Sequence, residues 1–163
     1  MTRCIVIALG VAAWGALAAA QQETGVPVGS KAPAAVVQTL DGKDLDLATY
    51  VGKGPVVLEF WATWCPNCQE LEPQLKSLVA QYAGKVTFVG VAVSVNESAA
   101  RVQAYAAKHG FTHLVVYDTH GVATGAYDVP ATSYVVVIDK AGKIVYTGLG
   151  GDQDLAAAVK RAL

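Results

Sequence analysis

Val56-Val57-Leu58-Glu59-Phe60-Trp61 runs directly into Ala62-Thr63-Trp64-Cys65-Pro66-Asn67-Cys68, and this stretch decides the fold. The first six residues form an apolar run of the kind expected for a strand buried on both faces. From Cys65 to Tyr82 the apolar residues recur at helical spacing, at Leu71, Leu75, Leu78, Val79 and Tyr82. Two cysteines therefore stand at a strand-to-helix junction. Residues at i and i+3 share one face of a helix, so the two sulfurs can close a small ring without long-range rearrangement. The helix start points orphan N–H groups and a partial positive charge at the first sulfur. That field favours the thiolate, which is the attacking species in thiol–disulfide exchange. Cys65 is the expected nucleophile and Cys68 the expected resolving thiol.

Outward from this junction, strands and helices alternate. Ala35–Leu40 and Asp44–Leu47 flank Asp41-Gly42, a hairpin turn signal. Pro73 inside the first helix is expected to kink it, because proline lacks the backbone donor and clashes with the preceding turn. Val86–Val93 reads as a second buried strand. Ser94–His109 reads as a helix with Asn96 or Ser94 as its cap and Gly110 past its end. Leu114–Tyr117 is a short strand and Val122–Tyr127 a short helix. Tyr134–Asp139 and Lys143–Thr147 form a second hairpin, and Asp152 caps a closing helix to Leu163. Such alternation predicts an α/β fold, with a parallel-containing sheet covered by helices.

The cysteine count sharpens the chemistry. The chain has three cysteines. Cys4 lies in a segment that reads as a signal peptide over residues 1–20: Met1-Thr2-Arg3 is basic, Cys4 to Leu17 is apolar, and Ala18-Ala19-Ala20 offers small residues for cleavage. Uncleaved, residues 4–20 would be a membrane anchor at the short limit of a spanning helix. Cleavage leaves about 140 residues, enough for one domain with a sizeable core. Residues 21–31 read as an exposed linker and 32–163 as the domain. The mature chain keeps only the Cys65/Cys68 pair, and both routes place it outside the cytoplasm, where disulfides persist.

Other chemistries fit poorly. A pair three residues apart constrains little chain, so a purely structural bridge is disfavoured. Structural zinc needs about four ligands, and no second cysteine pair exists. His109 and His113 are suggestively spaced, but Gly110 interrupts any helix between them; these two and His120 read as loop or solvent-facing residues. No metal or cofactor is expected. The chain is 53% hydrophobic with a formal net charge of −1, so neither nucleic acid nor a strongly charged partner is implied.

The chain resembles the thioredoxin superfamily in its exported TlpA/ResA-like branch. The likeness rests on Val28-Gly29-Ser30-Lys31-Ala32-Pro33, Asp41-Gly42-Lys43, Phe60-Trp61-Ala62-Thr63-Trp64-Cys65 and Ile138-Asp139-Lys140-Ala141-Gly142-Lys143-Ile144. It implies a thioredoxin fold with an N-terminal β-hairpin and an inserted strand–helix unit. It implies thiol–disulfide oxidoreduction on exported protein thiols and disulfides, leaning to reductase, as in keeping cytochrome c apoproteins reduced, with a membrane thiol electron donor. Glu59, six residues before Cys65, holds the place of the buried acid beneath the cysteine pair, where it would take the proton of Cys68. Burial would raise its pKa toward a useful range. Trp61 and Trp64 would pack near the motif. Trp64, Pro66, Thr132 and Ser133 fall on the substrate-binding surface.

The family pattern is not kept everywhere. Laid without gaps, Tyr127-Asp128-Val129-Pro130-Ala131-Thr132-Ser133-Tyr134-Val135 puts the family's cis-proline position on Ser133, and a three-residue shift puts it on Pro130. A cis bond before a non-proline residue costs about 2.5–4 kcal/mol, so Thr132–Ser133 is expected to be trans. Replacement of Ser133 by proline is expected to be tolerated in the gapless register. A peroxiredoxin would carry Thr at Ala62 and Pro at Leu58, and copper carriers of this fold space their cysteines one residue wider. A non-enzymatic metal-handling or chaperone-like module stays as the alternative.

Overall fold

The computed structural model describes residues 25–163. The signal peptide and anchor expected in residues 1–20 lie outside the described residues. Seven strands form one sheet in the order β2-β1-β5-β4-β3-β6-β7. They are β1 (Val36–Thr39), β2 (Asp44–Asp46), β3 (Val56–Trp61), β4 (Thr87–Val93), β5 (Leu114–Asp118), β6 (Tyr134–Ile138) and β7 (Ile144–Leu149). The helices are α1 (Pro66–Gln81), α2 (Ala99–His109), α3 (Val122–Ala126) and α4 (Leu155–Lys160). β3, β4 and β5 are parallel; β6 runs antiparallel to β3, and β1 antiparallel to β5. This is the thioredoxin fold, with the β1–β2 hairpin added through β5.

Every residue of β3 is buried, as its apolar run demands. Alternation splits its side chains between two cores. Val57 packs with Leu71, Leu75 and Leu78 of α1 and with Leu155 and Val159 of α4. Leu58 and Phe60 belong to the core that includes Val91, Val136 and Tyr127. Glu59 shares the Val57 face, so its carboxyl is directed under α1 rather than to solvent.

α1 is one continuous helix with Pro73 inside it. Several local readings are corrected. The cap of α2 is Ser98, whose Oγ accepts from Arg101 N at 3.3 Å, and not Asn96 or Ser94. Asn96 has φ +51°, a left-handed conformation that cannot begin a helix, while Ser98 is extended as a cap must be. Gly110 closes α2 at φ +64°, where glycine carries no Cβ penalty. α4 is capped by Asp154 rather than Asp152. Residues 25–31, expected as an exposed linker, are pinned to the domain. Val26 N donates to Tyr127 O at 3.2 Å, Gly29 N to Ile144 O at 2.8 Å and Ile144 N to Ser30 O at 2.9 Å. Val26 is buried, which the Gly/Pro-rich composition of that stretch conceals.

Candidate active site

β3 ends at Trp61, and Ala62–Trp64 turn the chain into α1. Cys65 is the N-cap of α1, with φ −86° and ψ 112°, and Pro66 takes the first helical position, where its missing N–H costs nothing. Cys65 Sγ accepts from Cys68 N at 3.1 Å, so the sulfur satisfies one of the orphan donors of the helix start. Cys65 and Cys68 are disulfide-bonded, with their Cα atoms 5.3 Å apart. Cys65 is 2% exposed and Cys68 5%. In this oxidised form both cysteines are therefore buried although they stand at a helix start.

The turn before Cys65 is held from three sides. Thr63 N and Thr63 Oγ1 donate to Glu97 Oε2 at 2.8 and 2.6 Å. Trp64 Nε1 donates to Val95 O at 3.0 Å, and Gln69 Nε2 to Thr63 O at 3.1 Å. The Glu97 side chain is fully enclosed and lies 3.5 Å from Arg101. Glu97 escaped the sequence reading. Its available signal was a lone carboxylate just past the apolar run of β4, at the sheet end that carries the cysteines.

Glu59 is 5% exposed, opposite Gly90 of β4 and Val135 of β6. Burial pushes its pKa up to about 8, and the Glu72 carboxylate on α1 adds to the rise. Burial acts upward on Glu72 as well. Hydrogen bonds from Lys76, His109 and Tyr105 outweigh it and hold Glu72 below the usual carboxylate range. The buried acid can thus be neutral near pH 7 and still be ionised within reach of neutrality.

Trp64, 44% exposed, lines a groove of about 400 Å³ with Val93, Val95, Val129, Pro130 and Thr132. The structure thus brings Trp64 and Thr132 together in one groove, along with Pro130. Pro66 is exposed at the helix start outside that lining. Ser133 is fully buried: its Oγ donates to Gly150 O at 2.9 Å, its N to Phe60 O at 2.8 Å, and its carbonyl accepts from Gln153 Nε2 at 3.0 Å. The hydroxyl is therefore committed to Gly150 and not to the thiols. No cis peptide bond occurs among the described residues, and Ser133 has φ +64°. Proline cannot take that φ, so tolerance of proline at Ser133 is not supported by this geometry. Among the described residues no group of three or more His, Cys, Asp or Glu side chains could hold a metal ion.

Comparison with known proteins agrees with this geometry. The Redoxin family model matches residues 27–162. The thiol-disulfide oxidoreductase ResA of Geobacillus thermodenitrificans is 35% identical over 136 residues, covering 82% of this chain and 77% of the relative. ResA of Bacillus subtilis is 32% identical over 141 residues, covering 86% and 76%. Among solved structures, a secreted Mycobacterium tuberculosis disulfide oxidoreductase homologous to E. coli DsbE superimposes with TM-score 0.66 at 27% identity, over 78% of this chain and 92% of that one. A thiol:disulfide interchange protein of the thioredoxin family from Chlorobium tepidum gives TM-score 0.69 at 29% identity, over 83% and 97%. With a cysteine pair at the start of α1 and relatives of this kind along most of its length, the chain belongs to the Redoxin family, as a ResA-like thiol–disulfide oxidoreductase of the thioredoxin superfamily.

Proposed function

We propose that this protein is an extracytoplasmic reductase of disulfides in exported proteins, cytochrome c apoproteins among them. The observation that carries the reading is the Cys65–Cys68 disulfide at the start of α1, which follows directly on the strand that holds the buried carboxyl of Glu59. The reduced pair does the work. The Cys65 thiolate attacks one sulfur of a substrate disulfide, forming a mixed disulfide and releasing the other substrate sulfur as a thiolate. Glu59 takes the proton of Cys68, and the Cys68 thiolate attacks Cys65 Sγ. The substrate leaves with two thiols and the enzyme with the Cys65–Cys68 bond. Two electrons have moved to the substrate, and a membrane dithiol donor restores the pair.

Trp64 and Thr132 line the groove that would seat the polypeptide, and Pro66 and Ser133 are proposed to contribute to the same surface. Export by residues 1–20, by cleavage after Ala20 or by retention of residues 4–20 as an anchor, places the site where such substrates occur. N-terminal sequencing of protein recovered from the exported fraction tests that step.

Direction is tested by equilibrating the pair with glutathione. A potential near that of thioredoxin, about −270 mV, supports the reductase; one near about −120 mV reverses the direction of electron flow.

A further inference from the structure

Glu59 has an unusual neighbour. Its Cα partner across the parallel β3–β4 pair is Gly90, which contributes no side chain to that face of the sheet. Other groups come in over the glycine. A Cβ on Gly90 would lie 2.9 Å from Trp61 Nε1 and 3.4 Å from His113 Nε2. Trp61 follows Glu59 by two on β3 and so shares its face. His113 precedes β5, where Val115 pairs with Gly90, so the same alternation brings His113 to this face.

Two buried atoms meet here without a hydrogen-bond partner, Trp61 Nε1 and His113 Nε2. Buried polar atoms are bonded in the great majority of cases, so two orphans above one glycine call for a common partner. The aromatic neighbours cannot supply it; the Phe111 ring lies 4.9 Å from that of His113 and 5.5 Å from that of Trp61. The polar groups that α1 and α2 present are spent on one another. Lys76 Nζ donates to Glu72 Oε1 at 3.0 Å, Tyr105 Oη to Glu72 Oε2 at 3.1 Å, and His109 Nδ1 lies 3.0 Å from Glu72. The carboxyl of Glu59, on the same face beside Gly90, is the group left to be served.

We propose that His113 is a positioning residue for the resolving step: with Trp61 Nε1 it holds, through one bridging water above Gly90, the Glu59 carboxyl that takes the Cys68 proton. This rests on the proton-accepting role of Glu59 given above. The two ring systems divide the task. The indole N–H only donates, and so favours the carboxylate. A neutral imidazole offers one donor and one acceptor, and its tautomers serve either form of the carboxyl. In the step itself the Cys68 S–H bond breaks, a Glu59 O–H bond forms, and the electron pair stays on the Cys68 sulfur for attack on Cys65 Sγ. His113 changes no net charge. Burial pushes its pKa down to about 4, with the Glu72 carboxylate opposing and Lys76 adding to the fall, so the ring is neutral wherever Glu59 titrates.

The test follows the Glu59 carboxyl by carbon-13 NMR across a pH titration of the reduced full chain. His113→Phe keeps a ring and removes both nitrogens. Its Glu59 midpoint should rise by about one unit, because a carboxylate that loses its donors ionises less readily. Resolution of a Cys65–glutathione mixed disulfide should slow about tenfold near pH 7, with alkylation of Cys65 unchanged. His113→Gln, which keeps a donor and an acceptor, should restore the parental midpoint. A His113→Phe midpoint that superimposes on the parent overturns the proposal, as does a His113→Gln midpoint displaced as far as that of phenylalanine. If His113→Phe fails to fold, His113→Leu carries the same readout. Failure of the underlying Glu59 role reads differently. Glu59→Gln would then leave resolution unchanged while His113→Phe still moved the Glu59 midpoint, which overturns the resolving role and keeps the linkage between the two residues.

Discussion

Glu97 holds Thr63 twice, by the backbone N–H at 2.8 Å and by the hydroxyl at 2.6 Å, and so ties the loop after β4 to the turn that delivers Cys65. The carboxylate is fully enclosed, and Ser98 N also donates to it at 3.0 Å. Removing it leaves two Thr63 donors without their acceptor. Glu97→Ala is expected to lower stability by about 1–3 kcal/mol. Thr63→Val removes only the hydroxyl and should cost less, about 1 kcal/mol. Thermal or denaturant unfolding of the two variants checks the order; equal losses would mean that the backbone bond contributes nothing.

The two cysteines should behave differently although both are buried in the oxidised pair. Only Cys65 caps α1, and its sulfur lies in the field of the helix start. Cys68→Ala should accumulate mixed disulfides with a disulfide-bearing substrate, read as slow-migrating bands on non-reducing gels. Cys65→Ala should accumulate few. Equal trapping by both variants would reverse or abolish the assignment of nucleophile and resolving thiol.

The parts of this protein written in local sequence were the legible ones. The β3 run, the helical spacing after Cys65 and the two hairpin turns each declare themselves within about ten residues, by period and turn chemistry. The cysteine pair was legible because Cys65, Pro66 and Cys68 are neighbours in one turn of helix. Contacts between distant segments were not. Thr63 and Glu97 are 34 residues apart, and nothing local joins them. The meeting of Glu59, Gly90 and His113 depends on strand register. His113 read alone suggested only a loop residue. The caps failed for a nearer reason: Ser94, Asn96 and Ser98 are all good capping residues, and only the left-handed turn at Asn96 selects Ser98.

Glu59 should make stability fall as pH rises. Its pKa in the folded protein is about 8, against the ordinary 4.5 of a glutamate, with burial as the main cause. A carboxyl whose folded pKa is raised binds more protons folded than unfolded between those values. The folded state therefore loses stability from about pH 4.5 upward, and the loss levels off above about pH 8. Over the whole window this reaches roughly 5 kcal/mol as an upper figure. Glu59→Gln removes the ionisation and should be more stable than the parent at pH 8 by several kcal/mol, with the gap closing near pH 4. Denaturant unfolding of the oxidised protein at the two pH values reads it. A gap that does not depend on pH would show that Glu59 keeps its ordinary pKa in the folded state.

Ser133 is where the family's proline would stand in the gapless register, yet its conformation excludes proline. Its φ of +64° is opposite in sign to the roughly −65° that the pyrrolidine ring imposes. Its N–H is already donated to Phe60 O at 2.8 Å, in line with the neighbouring Phe60–Tyr134 pair that opens the β3–β6 ladder. Proline would delete that bond, clash at the required φ and remove the hydroxyl that donates to Gly150 O. Ser133→Pro is expected to cost about 3 kcal/mol or more. Ser133→Gly loses the hydroxyl bond but accepts a positive φ freely, so it should stay within about 1 kcal/mol of the parent. Pro130→Ala, at an exposed loop position, should change stability by less than about 1 kcal/mol. Thermal unfolding of the three variants decides the matter. A Ser133→Pro variant as stable as the parent would mean that the loop before β6 can rebuild around a proline and that the Phe60 bond is dispensable.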